Sequence, residues 1–145
     1  MKQIGLLSTL LVSLFLFSCT GKAQNKSTVT KVEAKTIQVY DFHTTNRCIT
    51  CKAIEANTKY TLNTYFAEEL KDGTITFHVV NIDEDENYEL AKKFKASGTS
   101  LFINIITPEK EKQIDLTAFA FTYGKKQEDF SNRLKNKLEK QMEKL

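Results

Sequence analysis

Cys48-Ile49-Thr50-Cys51 sets two thiols three residues apart, a spacing that brings two sulfurs together over one turn of a helix. Such a pair exchanges with other disulfides or supplies two thiolates to a metal. Only the thiolate attacks a disulfide, and a free cysteine with a pKa of about 8.5 is mostly protonated at neutral pH. A helix N-terminus favours the thiolate, because the unpaired N–H groups of its first turn present partial positive charge. Arg47 and Lys52 add to that field. On this reading Cys48 is the exposed nucleophile, and Cys51, one turn on and more buried, resolves the mixed disulfide. The metal alternative has only half of a tetrahedral set, since no second CxxC and no HxxxH follows, leaving His43 or a second subunit to complete it. A disulfide across so short a loop constrains little chain entropy, so the pair's value lies in its chemistry or in a metal.

The elements around the pair must put Cys48 at a strand-to-helix junction. Thr36 to Phe42 is rich in β-formers and reads as a largely buried strand, with His43 to Arg47 as the loop after it. From Cys48 the period changes: Ala53, Ile54, Leu62, Tyr65, Phe66 and Leu70 recur at helical spacing until Lys71-Asp72-Gly73. Ile75 to Ile82 is a second strand. Asp83 to Asn87 is an acidic lead-in to a helix from Tyr88 to Phe94 with Leu90, Ala91 and Phe94 inward. Leu101 to Ile106 and Lys112 to Leu116 read as a hairpin turned at Pro108, and Thr117 to Tyr123 fits either a short helix or more strand. Phe130, Leu134, Leu138 and Met142 make the inner stripe of a last helix, roughly Glu128 to Leu145. The order β-α-β-α-β-β-α implies an α/β fold in three layers, a central mixed four-stranded sheet flanked by helices.

The 145 residues divide into three parts. Met1 to Ser18 has a basic start and an apolar run from Ile4 to Phe17, the form of a signal peptide too short to span a bilayer comfortably. Leu16-Phe17-Ser18-Cys19 resembles a lipoprotein acylation site, which makes Cys19 a lipid anchor; cleavage after Ala23 by the ordinary peptidase is the alternative, giving a secreted protein. Either way the chain is exported to the cell envelope, facing the periplasm if anchored. Residues 19–33, rich in Ser, Thr, Lys, Asn and Gln, read as a solvated tether, and 34–145 as one domain. The net charge is +3, with Lys interleaved among Asp and Glu along the chain and not massed on one stripe, which argues against a nucleic-acid partner. A mature domain holding only Cys48 and Cys51 has no cysteines to spare for structural staples.

Val39-Tyr40-Asp41-Phe42, the CxxC at a strand-to-helix junction, Val79-Val80-Asn81-Ile82-Asp83 and the β-β-α tail together resemble thioredoxin over nearly the whole domain. The resemblance implies a thiol-disulfide oxidoreductase, a monomer that needs no cofactor or resident metal, and the lipoprotein-like leader would make it membrane-tethered. Its partners would be exported protein disulfides or a membrane thiol reductant. It gives Asp41 the role of the buried acid that moves a proton at the resolving cysteine, against a plainer reading in which Asp41 caps a loop or faces solvent. Arg47, Ile49, Thr50, Thr99 and Ser100 would form the substrate groove, with Ile49-Thr50 in place of the family's Gly-Pro. Two departures stand out. Val79 occupies the position of the lysine that accompanies the buried acid, and Ser100, after Thr99, stands where the family has a cis-proline. A non-proline cis bond costs roughly 2.5 to 4 kcal/mol, so the Thr99-Ser100 peptide is expected trans. A shielding proline replaced by serine leaves room for a metal, so a non-catalytic binding module of the same fold, holding a metal through Cys48 and Cys51, is the alternative function. His78, on the opposite strand face from Val79, is expected to be structural.

Overall fold

The structure is a computed structural model and describes residues 35–145. The expected signal segment 1–18, the tether 19–33 and Cys19 lie outside the described residues.

Strand β1 (Thr36–His43) sits inside a four-stranded sheet of order β2-β1-β3-β4. It runs parallel to β2 (Ile75–Asn81) and antiparallel to β3 (Ser100–Thr107), which turns back as edge strand β4 (Lys110–Asp115). The parallel pair is joined through helices α1 (Ile49–Tyr65) and α2 (Ala67–Asp72), the long crossover that parallel strands require. A 3-10 turn (Asp85–Asn87) leads into α3 (Tyr88–Phe94), and α4 (Thr117–Tyr123) and α5 (Gln127–Met142) complete the chain.

Period-2 alternation divides β1 between two cores. Ile37 and Val39 face a cluster with Ile103 and Ile105 of β3, Ile54 and Leu62 of α1, and Phe130, Leu134 and Leu138 of α5. Tyr40 and Phe42 face the other way, onto Phe94 of α3, Val80 and Phe102. The sheet therefore lies between α3 on one face and the remaining helices on the other. This is the three-layer α/β architecture of the thioredoxin-like fold, with a helix α4 in the stretch that the sequence left between helix and strand.

Helix α1 departs from its expected inner face in two ways. Phe66 breaks the expected continuous helix: it leaves helical geometry at φ −135° and ψ 33° and is itself buried in the core. Tyr65 points outward, 40% exposed, beneath the ammonium of Lys135. In its place the buried face carries Asn57, Thr58 and Thr61. Their polar groups are satisfied: Asn57 Nδ2 donates to the Gly124 carbonyl at 2.8 Å, and the two threonine hydroxyls donate to carbonyls one turn back.

Candidate functional site

The loop between β1 and α1 is held in place from β2. Thr45 N–H donates to Asp83 Oδ2 at 2.7 Å, and Asn81 Nδ2 donates to Thr45 Oγ1 at 3.2 Å. The bond from Thr45 keeps the Asp83 carboxyl below its usual range. The acidic lead-in to α3 thus has a second use, as a clamp on the loop that delivers Cys48.

Cys48 is the N-cap of α1, in extended geometry at φ −71° and ψ 165°. Its Sγ accepts the N–H of Cys51 at 3.0 Å, a bond to a first-turn donor that would otherwise lack a helical partner. The two cysteines are joined as a disulfide with Cα atoms 5.1 Å apart. Cys48 is exposed, whereas Cys51 is 7% exposed, an asymmetry matching one accessible and one shielded sulfur. Ile49 stands out from the surface at 81% exposure. Thr50 is half-buried and turned towards Gly124 at the end of α4.

Asp41 lies on the same strand face as Ile37 and Val39 and is completely buried, which decides against the solvent-facing reading. Burial pushes its carboxyl up to about 7; Arg47 pulls in the opposite direction and Glu55 reinforces the rise. Its Oδ1 has no hydrogen-bond partner within the described protein, which adds to the cost of the charged form.

Arg47 is a correction to the expected groove. Its side chain turns inward, where Nη2 sits 3.4 Å from Asp41 Oδ2 and donates to the Cys51 carbonyl at 3.3 Å, while Nη1 pairs with Glu55. The physical reason is the buried acid itself: a charged guanidinium beside it offsets part of the cost of burying charge. Val79 pairs with Asp41 across β1 and β2, so the position of the family's lysine is an uncharged, half-exposed side chain. The cation reaches Asp41 instead from the residue before Cys48.

Ser100 begins β3 opposite Phe42, and the Thr99-Ser100 peptide is trans, as are all peptides among the described residues. Ser100 Oγ donates back to the Gly98 carbonyl at 3.2 Å. Thr99 and Ser100 line a groove of about 260 Å³ with Lys95, Asp115 and Thr117. His78 is stacked on Tyr40, with ring centroids 4.7 Å apart on the α3 side, where its imidazole shares a hydrogen bond with Thr76. Burial lowers its pKa, in keeping with a neutral structural role. Among the described residues, no three His, Cys, Asp or Glu side chains converge as metal ligands would.

Glu55 was not singled out by sequence reasoning, and Asp83 entered it only as part of a strand motif and of the acidic lead-in to α3. Glu55 lies one turn beyond Cys51 on the same helix, so the i, i+4 relation to Cys51 could have pointed to it. The contact between Thr45 and Asp83 spans 38 residues and left no local sign.

The sequence matches no family model, and no curated protein matches it. Among solved structures it is similar to one described as the structure of a malarial protein, at 18% identity and a TM-score of 0.38, covering 60% of this chain and 93% of that one. At that level of similarity the neighbour carries no argument about function.

Proposed function

We propose that the protein is a thiol-disulfide oxidoreductase of the thioredoxin-like class, exported and tethered to a membrane of the cell envelope through Cys19. The observation that carries this reading is the exposed Cys48 at the N-cap of α1, bonded to a shielded Cys51. In the reducing direction the Cys48 thiolate attacks one sulfur of a substrate disulfide, forming a mixed disulfide and releasing the first substrate thiolate. Cys51 then gives up its proton and attacks Cys48 Sγ. The Cys48–Cys51 disulfide forms as the second substrate thiolate leaves, and a dithiol donor returns the pair to the reduced state. Asp41 is buried, is linked to the Cys51 carbonyl through Arg47, and has a carboxyl pKa of about 7, so its ionised form at neutral pH is the group suited to receive the Cys51 proton. The partners on this reading are disulfides of exported proteins and a membrane thiol reductant.

The test is thiol exchange in the purified full chain. Dithiothreitol should open the disulfide. Cys51→Ser should accumulate a stable mixed disulfide with a model substrate, and Cys48→Ser should form none. Absence of exchange in either direction by folded protein refutes the proposal. Stoichiometric metal on protein purified under reducing conditions would favour the binding module.

A further inference from the structure

The small net charge conceals an uneven distribution. On α5, Arg133, Lys137 and Lys140 follow one another at steps of four and three residues, which places them along a single face, and Lys144 follows in the turn just past the helix end. Glu139 and Glu143 turn instead towards Tyr65 and Glu69 of α1 and α2. The basic face continues onto the sheet, where Lys144 shares a groove with Lys110 and Lys112 of edge strand β4. None of these cations is in an ion pair among the described residues. The expectation that the basic residues form no stripe is corrected here: interleaving along the chain becomes a mainly basic face once the helix is wound, with Asp129 as the acidic residue at its N-terminal end.

Aromatic surface lies between the cations. Phe119 and Tyr123, one turn apart on α4, line a groove of about 420 Å³ with Arg133, Asn136, Lys137 and Lys140. The Arg133 guanidinium lies 4.5 Å from the Tyr123 ring centroid and the Lys137 ammonium 5.3 Å from that of Phe119. Cations on long apolar stems beside aromatic rings suit a boundary between water and hydrocarbon better than they suit bulk water. The chain's own course selects the same partner. Thr36 pairs with Ile106, and Thr107 with Lys110, so β1 begins beside the β3–β4 turn, at the Lys110 end of this surface. In the sequence, the apolar run Ile4 to Phe17 and Cys19 precede β1, Cys19 by sixteen residues before Lys35.

We propose that the face formed by α5, α4 and β4 docks the domain onto an anionic phospholipid bilayer, the cations meeting headgroup phosphates and the Phe119–Tyr123 groove meeting the interfacial layer. This rests on the membrane attachment through Cys19 proposed above, and not on the redox chemistry. It implies that the domain rests against the membrane that holds its tether, with the Cys48 end of the sheet at the far end of β1 from the point of attachment.

The test uses the full chain reconstituted into vesicles, so that attachment is common to every arm. The protein has no tryptophan, and Asn136→Trp puts a single fluorophore in the groove. Vesicles of phosphatidylcholine with phosphatidylglycerol should shift its emission to shorter wavelength and expose it to brominated lipid, whereas phosphatidylcholine alone should do neither. At 1 M salt, where the screening length is about 3 Å, the shift should vanish. Reversal of Lys137 and Lys140 to Glu should lower the docking equilibrium at least about fivefold per site, given the attraction of a basic residue to an anionic surface. That variant is admitted only if its circular dichroism and its Cys48–Cys51 exchange rate match the parent; the salt arm stands without it. An equal shift on both vesicle types, or none on either, overturns the proposal. So does a shift with polyglutamate or duplex DNA when anionic vesicles give none, which would assign the face to a soluble polyanion.

Discussion

Arg47 and Asp41 meet at 3.4 Å across the loop that precedes the cysteines, so the cation that serves the buried acid belongs to the residue adjoining the nucleophile. The same guanidinium also reaches the Cys51 carbonyl and Glu55. One side chain therefore contacts the acid and the backbone of the resolving cysteine, and any movement of the first turn of α1 is felt at Asp41.

Arg47→Gln should raise the Asp41 carboxyl above its present value of about 7, because the neutralising charge is lost while Glu55 remains. Glu55→Gln should lower it. Adding Val79→Lys to the Arg47→Gln chain should bring it back down, since Val79 is the β2 neighbour of Asp41. Carboxyl-carbon NMR titration of the disulfide form measures all three without reference to activity. Unchanged Asp41 titration in Arg47→Gln would show that the contact has no electrostatic effect.

Asp41 also ties stability to pH. Its proton is bound more tightly in the folded state, with a carboxyl at about 7 against 3.8 for a free aspartate. The stabilisation that this provides is fully present below the unfolded pKa and is lost as pH rises through the folded one. Asp41→Asn, which keeps the shape of the neutral acid, should flatten stability between roughly pH 4 and pH 7 and make the protein more stable at pH 8, by at most about 4 kcal/mol. Urea unfolding across that range is the measurement, and a steeper profile in the variant would contradict the assignment.

Ile49 projects beside Cys48 with little contact to its own domain. Burying such a side chain against a partner is worth roughly 1.5 to 3 kcal/mol. Ile49→Asn should therefore slow reduction of a protein disulfide by about tenfold or more while leaving the rate with a small disulfide nearly unchanged. An equal loss on both substrates would point to damage at the cysteines.

Gly124 is required by packing. A Cβ there would fall 2.7 Å from the Ala120 carbonyl oxygen and 2.9 Å from Ile54 Cγ1, although its φ of −53° suits any residue. Gly124→Ala should cost about 1 to 3 kcal/mol in thermal or urea unfolding, as overpacking does. Asn57→Ala, which removes the buried bond to the Gly124 carbonyl, should cost a similar amount.

The strands and the last helix were legible because their apolar residues repeat at the period of the element: Ile37 and Val39 on one face of β1, and Phe130, Leu134 and Leu138 on one side of α5. The CxxC was legible because its spacing is local. What escaped was of two kinds. Asn57, Thr58 and Thr61 face the core, but a polar residue at a core position looks like a solvent position until its partner is known. Phe66 fits the helical period as an inward residue, which hid the fact that it reaches the core by leaving the helix. The approach of Arg47 to Asp41, and of Thr45 to Asp83, depends on the path of a loop, which no periodicity encodes. The basic stripe on α5 was present in the residue spacing and was obscured by counting charges along the chain instead of around the helix.

The sulfur of Cys48 is both a redox atom and the acceptor for the Cys51 amide that opens α1. A thiolate there is a stronger acceptor than a disulfide sulfur, so gaining electrons should tighten the beginning of the helix, and losing them should slacken it. The Cys51 amide proton is thus a built-in gauge: its exchange with deuterated water should run slower in the reduced protein, reporting the oxidation state of the couple through the backbone with no substrate present.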